Sequence, residues 1–282
     1  MRRECYYCHS KTVERIISKH KPPVNKAEEF QKNAENYIQH NWSLPNPVIA
    51  THINRLGREL LNNKDLYRKE KRDANKLLLN NYNYWKAKVT NSTSPFHTAA
   101  KLAVIGNIID YGAHAVPEKI EEFIEEMLVK PLAIDDSAIL EEKVRKANSI
   151  LYLGDNAGEI VFDKLFIETM QHPNVTFAVR NEAVINDVTR NETRQVEMNK
   201  LCKIISNGYD APSTLLEHCS PGFLRAYEKA ELVISKGQGN FEGLMDEKRN
   251  DLFFLFMAKC QPIAEMVNVE RGNMLIKQNK KG

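Results

Sequence analysis

Two carboxylate–amide pairs stand out by type and position: Asp155-Asn156, directly after the apolar run 150–153, and Asn186-Asp187, at the start of a helical pattern within RNEAVINDVTRNE (180–192). Carboxylate and amide oxygens are hard donors. Two aspartates and an asparagine carbonyl suit Mg²⁺ or Mn²⁺ with waters completing the shell, and Co²⁺ or Ni²⁺ bind such donors with higher raw affinity. A divalent cation held there would neutralise charge developing on a bound oxygen and lower the pKa of a water. Asp155 has a second possible use, as a carboxylate nucleophile. Each pair is also what a helix N-cap requires. A cap needs one such residue, however, and both places supply two.

Further polar groups sit in SKGQGNFEG (235–243). Lys236 offers a point charge, and Gly237 and Gly239 let backbone amides turn inward, a combination that suits phosphate at a helix amino terminus. Asn240 and Glu242 exceed what a plain turn demands. The stretch lacks the Walker order, and no GxGxxG follows the first strand, so a nucleotide cofactor is not required. Asn107 and Asp110 end the apolar helical run 102–109, with Gly112 as the expected C-cap. Three apart, they share a face, where an acidic last turn opposes the helix dipole and a buried amide needs partners. A satisfied structural pair explains them equally well. Cys5-Tyr6-Tyr7-Cys8-His9 resembles half of a zinc site without its second half, and reads as two packed thiols at a helix start. Cys202, Cys219 and Cys260 have no base motif beside them and read as core or partly buried residues.

These groups need elements to position them. Strand candidates at 149–153, 175–179, 203–205, 232–235 and 252–257 have helical segments between most of them, which predicts a parallel sheet with right-handed crossovers. Ligands gather at the carboxyl edge of such sheets. If the first two strands are neighbours, Asp155, Asn156 and Asp187 come within a few ångströms of one another. Before residue 146 the period is helical: Ile53, Leu56, Leu60 and Leu61 form one stripe, and Ile120, Phe123, Ile124, Met127 and Leu128 another. The run 66–83, charged and then apolar at 77–79, reads as a solvated helical face rather than a nucleic-acid arm. TNSTS before Pro95 reads as a loop. The expected fold is therefore α/β: a mainly helical amino-terminal region, 1–145, packed on a Rossmann-like, mostly parallel α/β domain, 146–282, that carries the metal site.

With 282 residues and 42% hydrophobic content the chain can bury a sizeable core. A net charge of +3 argues for neither nucleic acid nor membrane as a partner. No apolar run reaches eighteen residues. Five cysteines, an odd number without a framework, agree with a reducing compartment, so the expected location is the cytoplasm. Nothing in the pattern sets an oligomeric state.

AAKLAVIGNIIDYG (99–112), LGDNAGEIVFD (153–163), RNEAVINDVT (180–189) and SKGQGNFEG (235–243), in that order, resemble the damage-control phosphatase family, long filed as domain of unknown function 89. The early CxxC resembles its prokaryotic subfamily. The resemblance implies a helical region on a Rossmann-like domain, and a phosphatase that uses Mn²⁺, Mg²⁺, Co²⁺ or Ni²⁺ on small phosphorylated metabolites such as damaged or surplus sugar phosphates. It places Asp155, Asn156 and Asp187 at metal positions, and Lys236 and Asn240, with Gly237 between them, near the substrate phosphate. Asp155 and Lys236 are then the catalytic candidates. Asn107, Asp110, Glu159 and Arg180 fall in matching motifs and become substrate-site candidates. Two readings of other classes remain: a methyltransferase using S-adenosylmethionine, with its glycine loop at LGDNAGE, and a metabolite-binding protein without turnover. The first wants a Gly-richer turn and no divalent ion.

Overall fold

The computed structural model describes residues 2–107 and 119–280. Apolar residues at helical spacing make the first part α1 (Arg3–His20), α2 (Val24–His40) and α3 (Asn46–Leu60). Their stripes meet in a cluster of their own that includes Val13, Ile16, Phe30, Ile38, Ile49 and Ile53. Next come α4 (Arg68–Asn80), α5 (Tyr82–Thr90) and α6 (Pro95–Gly106). Pro95 starts α6, since a fixed φ and a missing N–H cost nothing in a first turn. Residues 99–106 of α6 are all buried, which is why the run shows no amphipathic stripe: the helix is enclosed between α9 and one face of the sheet. In α7 (Ile120–Val129) the expected stripe is buried at Ile120, Ile124 and Met127.

The remaining elements are β1 (Ile134–Asp135), α8 (Ser137–Lys146), β2 (Ile150–Leu153), α9 (Glu159–Met170), β3 (Val175–Val179), α10 (Arg190–Gln195), β4 (Lys203–Ser206), α11 (Pro221–Lys229), β5 (Leu232–Lys236), α12 (Gly237–Leu244), β6 (Leu252–Met257), α13 (Gln261–Val267) and β7 (Met274–Gln278). Among the described residues the strands form a seven-stranded sheet in the order β1-β7-β6-β5-β2-β3-β4. The β6–β7 pair is antiparallel and the other pairs are parallel. From β2 the chain winds outward through β3 and β4; from β5 it winds the other way through β6 and β7. The strand order therefore reverses between β2 and β5, a topological switch point where an α/β sheet opens a crevice at its carboxyl edge. Leu153 is in register with Ser235 on one side and Ala178 on the other. Asp155, Arg180 and Lys236 consequently leave the sheet at one level.

The structure differs from the sequence reading in three places. Two strands carried no readable pattern: β1 has only two residues, and β7 adds an antiparallel strand at the end of the chain. The main core cluster runs from Leu78 to Ile276 and takes in residues of α5 to α8, and β1 joins the sheet through β7. The helix expected over 102–109 ends at Gly106 with Asn107 as its C-cap; Asp110 and Gly112 lie outside the described residues. Finally, α4 is solvated on one face only: it exposes Arg68, Lys69, Arg72 and Lys76 but buries Lys71, Ala74, Asn75 and Leu78. Among the described residues no helix is long and apolar enough to cross a membrane.

Candidate active site

Gly154 follows β2, and a Cβ there would come within 2.5 Å of the Phe177 ring and 2.9 Å of Val188. The missing side chain lets the chain descend against β3 and the loop beyond it. Asp155 and Asn156 come next, and two backbone bonds hold them to the second motif: Val188 N–H donates to the Asp155 carbonyl at 2.7 Å and Ala157 N–H to the Asn186 carbonyl at 2.9 Å. Asn156 and Asp187 form a single antiparallel bridge. The structure thus brings Asp155, Asn156 and Asp187 together, as the adjacency of β2 and β3 requires.

Arg180, just beyond β3, is the hub of the polar contacts. Its Nε donates to Asp187 Oδ2 at 2.7 Å, one terminal nitrogen donates to Thr214 Oγ1 at 3.2 Å, and the other to Asn240 Oδ1 at 2.9 Å. The last of these stands 3.8 Å from Asp155 Oδ1. Asn240 also accepts from Thr214 Oγ1 at 2.9 Å, while its amide donates to the Lys236 carbonyl at 2.8 Å and to the Gly154 carbonyl at 3.3 Å. One side chain of α12 therefore ties the ends of β5 and β2 to each other. Asp155 Oδ2 accepts from Asn107 Nδ2 at 2.9 Å and Asn156 Nδ2 at 2.7 Å. Both amides also donate to Glu159 Oε2, at 2.8 and 3.2 Å.

Lys236 stands differently from the expectation that it meets a phosphate. It is fully buried, and its three N–H donors go to the Ala103 carbonyl at 2.8 Å, to Asp163 Oδ1 at 2.6 Å and to Glu159 Oε1. The ammonium lies behind the site because two carboxylates on successive turns of α9 reach it. Burial works against its charge, but Asp163 and Glu159 outweigh that and hold its pKa above the usual lysine value. Gly237 also does something other than turn an amide. At φ +80° a Cβ on it would sit 1.8 Å from Asp155 Oδ2, so the glycine makes room for the carboxylate.

The electrostatics are unbalanced. Among the described residues Asp155, Glu159, Asp163 and Asp187 are buried beside two buried cations, Arg180 and Lys236; four against two leaves an excess of two negative charges with every carboxylate ionised, which the charge of Lys259 offsets in part at Asp155. Burial, followed by the charges of Glu159 and Asp187, pushes the Asp155 carboxyl well above the usual range, with Arg180 opposing. Asp163 is pushed up to about 7 by burial against the pull of Lys236. Asn107 Oδ1, buried beside Asp155, has no hydrogen-bond partner among the described residues. Hard donors, an orphaned amide oxygen and excess negative charge together fit a divalent cation. Among the described residues no three His, Cys, Asp or Glu side chains stand in a ready-made metal arrangement. Asp155 is hydrogen-bonded to its neighbouring amides and Asp187 to Arg180.

Of the residues expected at the site, Asn107, Asp155, Asn156, Glu159, Arg180, Asp187, Lys236, Gly237 and Asn240 converge, and Asp110 is outside the described residues. Sequence reasoning missed Asp163 and Thr214. Asp163 stands four residues after Glu159, a spacing that puts both on one face of α9; Thr214 lies in a loop and gives no such signal. Cys5 is half-buried and Cys8 exposed in the first two turns of α1. Asn46 connects this helix to α12, with its amide nitrogen 3.4 Å from Cys5 Sγ and 3.3 Å from Glu242 Oε2.

Comparisons with known proteins agree with this architecture. The family model described as damage-control phosphatase ARMT1-like domain matches residues 1–275. A damage-control phosphatase of Pyrococcus horikoshii is 40% identical over 188 residues, 66% of each chain. A damage-control phosphatase of Archaeoglobus fulgidus is 32% identical over 253 residues, 86% of this chain and 85% of the relative. The crystal structure of a DUF89 family protein from Pyrococcus horikoshii superposes with a TM-score of 0.90 at 30% identity, covering 99% of both chains. With a family match over nearly its whole length and the buried carboxylates at the sheet's switch point, the chain belongs to the ARMT1-like damage-control phosphatase family.

Proposed function

We propose that the protein is a metal-dependent phosphatase that hydrolyses small phosphorylated metabolites, sugar phosphates or related damaged metabolites among them. The observation that carries this reading is the buried cluster of Asp155, Glu159 and Asp187 at the switch point, with an amide oxygen beside it that has no partner among the described residues. Asp155, Asn156 and Asp187 would hold the cation, with Asn107 Oδ1 as a further donor. A bound divalent ion supplies neutralisation of charge on the phosphoryl oxygens and activation of water. Arg180 is fixed at three nitrogens by Asp187, Thr214 and Asn240, which keeps its charge directed at the same space without reorganisation. Lys236 acts from behind: it neutralises Glu159 and Asp163 and so keeps Glu159 in place against Asn107 and Asn156. Gly237 leaves the volume that Asp155 occupies.

The test is phosphate release from p-nitrophenyl phosphate and a panel of sugar phosphates. EDTA-stripped protein is assayed before and after addition of Mg²⁺, Mn²⁺, Co²⁺ or Ni²⁺. Activity should be absent from the stripped protein and return with metal, and the panel then ranks ions and substrates. Folded protein that releases no phosphate with any of the four ions would overturn the proposal.

A further inference from the structure

Helix α4 carries two buried polar residues one turn apart, Lys71 and Asn75, each 1% exposed. Residues four apart share a helix face, and this face meets both loops that supply the candidate metal-binding residues. Asn75 Oδ1 accepts from Gly158 N–H at 2.7 Å. Gly158, at φ +84°, closes the loop that begins at Asp155 and leads into α9; its N–H lies where a helix start leaves donors without internal partners. Lys71 Nζ pairs with Asp65 at 2.7 Å and with Glu192 Oε1 at 3.3 Å. The other Glu192 oxygen accepts from Thr189 N–H at 2.8 Å and from its hydroxyl at 2.6 Å, fixing the start of α10 two residues after Asp187. Asn75 Nδ2 reaches the same helix through Gln195 Oε1, at 2.8 Å.

We infer that α4 sets the separation of the two loops, with Asn75 and Lys71 as positioning residues that act through Gly158 and Glu192 and touch neither cation nor phosphate. The loops come from different strands and meet through a few backbone bonds and one bridge. A helix with two anchor points about 6 Å apart along its axis is a stiff brace across them. Groups that orient ligands from one layer out are worth about 10–100-fold in metal affinity or activity. The catalytic consequence rests on the phosphatase reading; the structural one does not.

Four variants of the full chain separate bracing from plain packing. Asn75→Ala removes the acceptor for Gly158, and Asn75→Asp keeps an oxygen there, with Lys71 one turn away to balance its charge. Lys71→Met removes the pull on Glu192, and Gln195→Ala, at an exposed position, removes only the Nδ2 contact. Hydrogen–deuterium exchange of metal-free protein is read in peptides spanning 154–163 and 186–195. Asn75→Ala should speed exchange in the first peptide and Lys71→Met in the second, while Asn75→Asp and Gln195→Ala leave the first peptide as in wild type. Mn²⁺ affinity by calorimetry should fall about 10–100-fold in Asn75→Ala and Lys71→Met and be rescued in Asn75→Asp. At saturating Mn²⁺, kcat for p-nitrophenyl phosphate should fall more than KM rises. Wild-type exchange in both peptides of folded Asn75→Ala and Lys71→Met overturns the inference, as does unchanged Mn²⁺ affinity. If Asn75→Ala does not fold, wild-type exchange in Lys71→Met alone overturns it. Wild-type protein that releases no phosphate with Mg²⁺, Mn²⁺, Co²⁺ or Ni²⁺, with exchange changed as expected in the variants, removes the phosphatase reading and supports the brace.

Discussion

A motif tells which loop a side chain belongs to, and burial decides where its tip goes. Asp155 and Asp187 were legible because strand ends and period locate them, and their backbone is pinned by its neighbours. Lys236 was legible only as a member of its loop: its long stem runs back under the site to Glu159 and Asp163, and nothing in SKGQGNFEG encodes that direction. Gly237 shows the same limit from the other side, since the glycine is required by a carboxylate 82 residues earlier. Replacing Gly237 by Ala puts a methyl group where Asp155 Oδ2 stands and adds backbone strain of about 1–2 kcal/mol for a left-handed conformation. The expected outcome is a folded but destabilised protein with metal-dependent phosphatase activity reduced at least about 100-fold, because a misplacement near 1 Å costs on that order. Denaturant unfolding and steady-state kinetics on one preparation check both parts. Activity within twofold of wild type would mean that Asp155 can move without consequence.

Elements were legible in proportion to how completely their environment repeats along the sequence. Strands β2 and β6 are buried on both faces, so they read as unbroken apolar runs, and β5, equally buried, reads as one until Ser235 and Lys236. Two residues of β1 cannot show a period, and α4 hides two polar residues inside because Asp65, Glu192 and Gln195 come from elsewhere in the chain to meet them. Short α10 is a further case, held at its start by a capping box in which Thr189 and Glu192 satisfy each other's backbone donors. Thr189→Ala should cost about 1 kcal/mol of stability, the usual worth of such a cap, and should loosen the turn that presents Asp187. Urea unfolding measures the first effect and Mn²⁺ titration the second. A change below about 0.3 kcal/mol would show that Glu192 holds the turn through Thr189 N–H alone.

At the scale of the whole molecule the separate α1–α3 cluster must be held to the sheet, and charge does part of that. Arg55 and Arg58 on α3 both pair with Asp210 beyond β4, and Arg58 also donates to the Ala183 carbonyl at 3.0 Å, on the loop between Arg180 and Asp187. Arg55, Arg58 and Ala183 also border a cleft of about 790 Å³ that includes Lys64, Arg68, Asn181 and Thr189 in its walls. Burial alone would raise the Asp210 pKa, but hydrogen bonds and charge from Arg55 and Arg58 outweigh it and hold the carboxyl below its usual range. A carboxylate lowered in the folded state stabilises it fully above the unfolded pKa of about 3.9, and that contribution disappears as pH falls through the folded value. Asp210→Asn should therefore cost about 2 kcal/mol at pH 7, less than a fully buried pair because the Arg55 side chain is 44% exposed to screening. The gap between variant and wild type should persist at pH 5 and narrow from pH 4 downward. Urea unfolding of both proteins at pH 7, 5 and 3.5 reads it directly. A gap that stays constant across those values would mean that Asp210 joins the two parts by shape and neutral hydrogen bonds. In that case Arg55→Met and Arg58→Met would each cost no more than their lost packing.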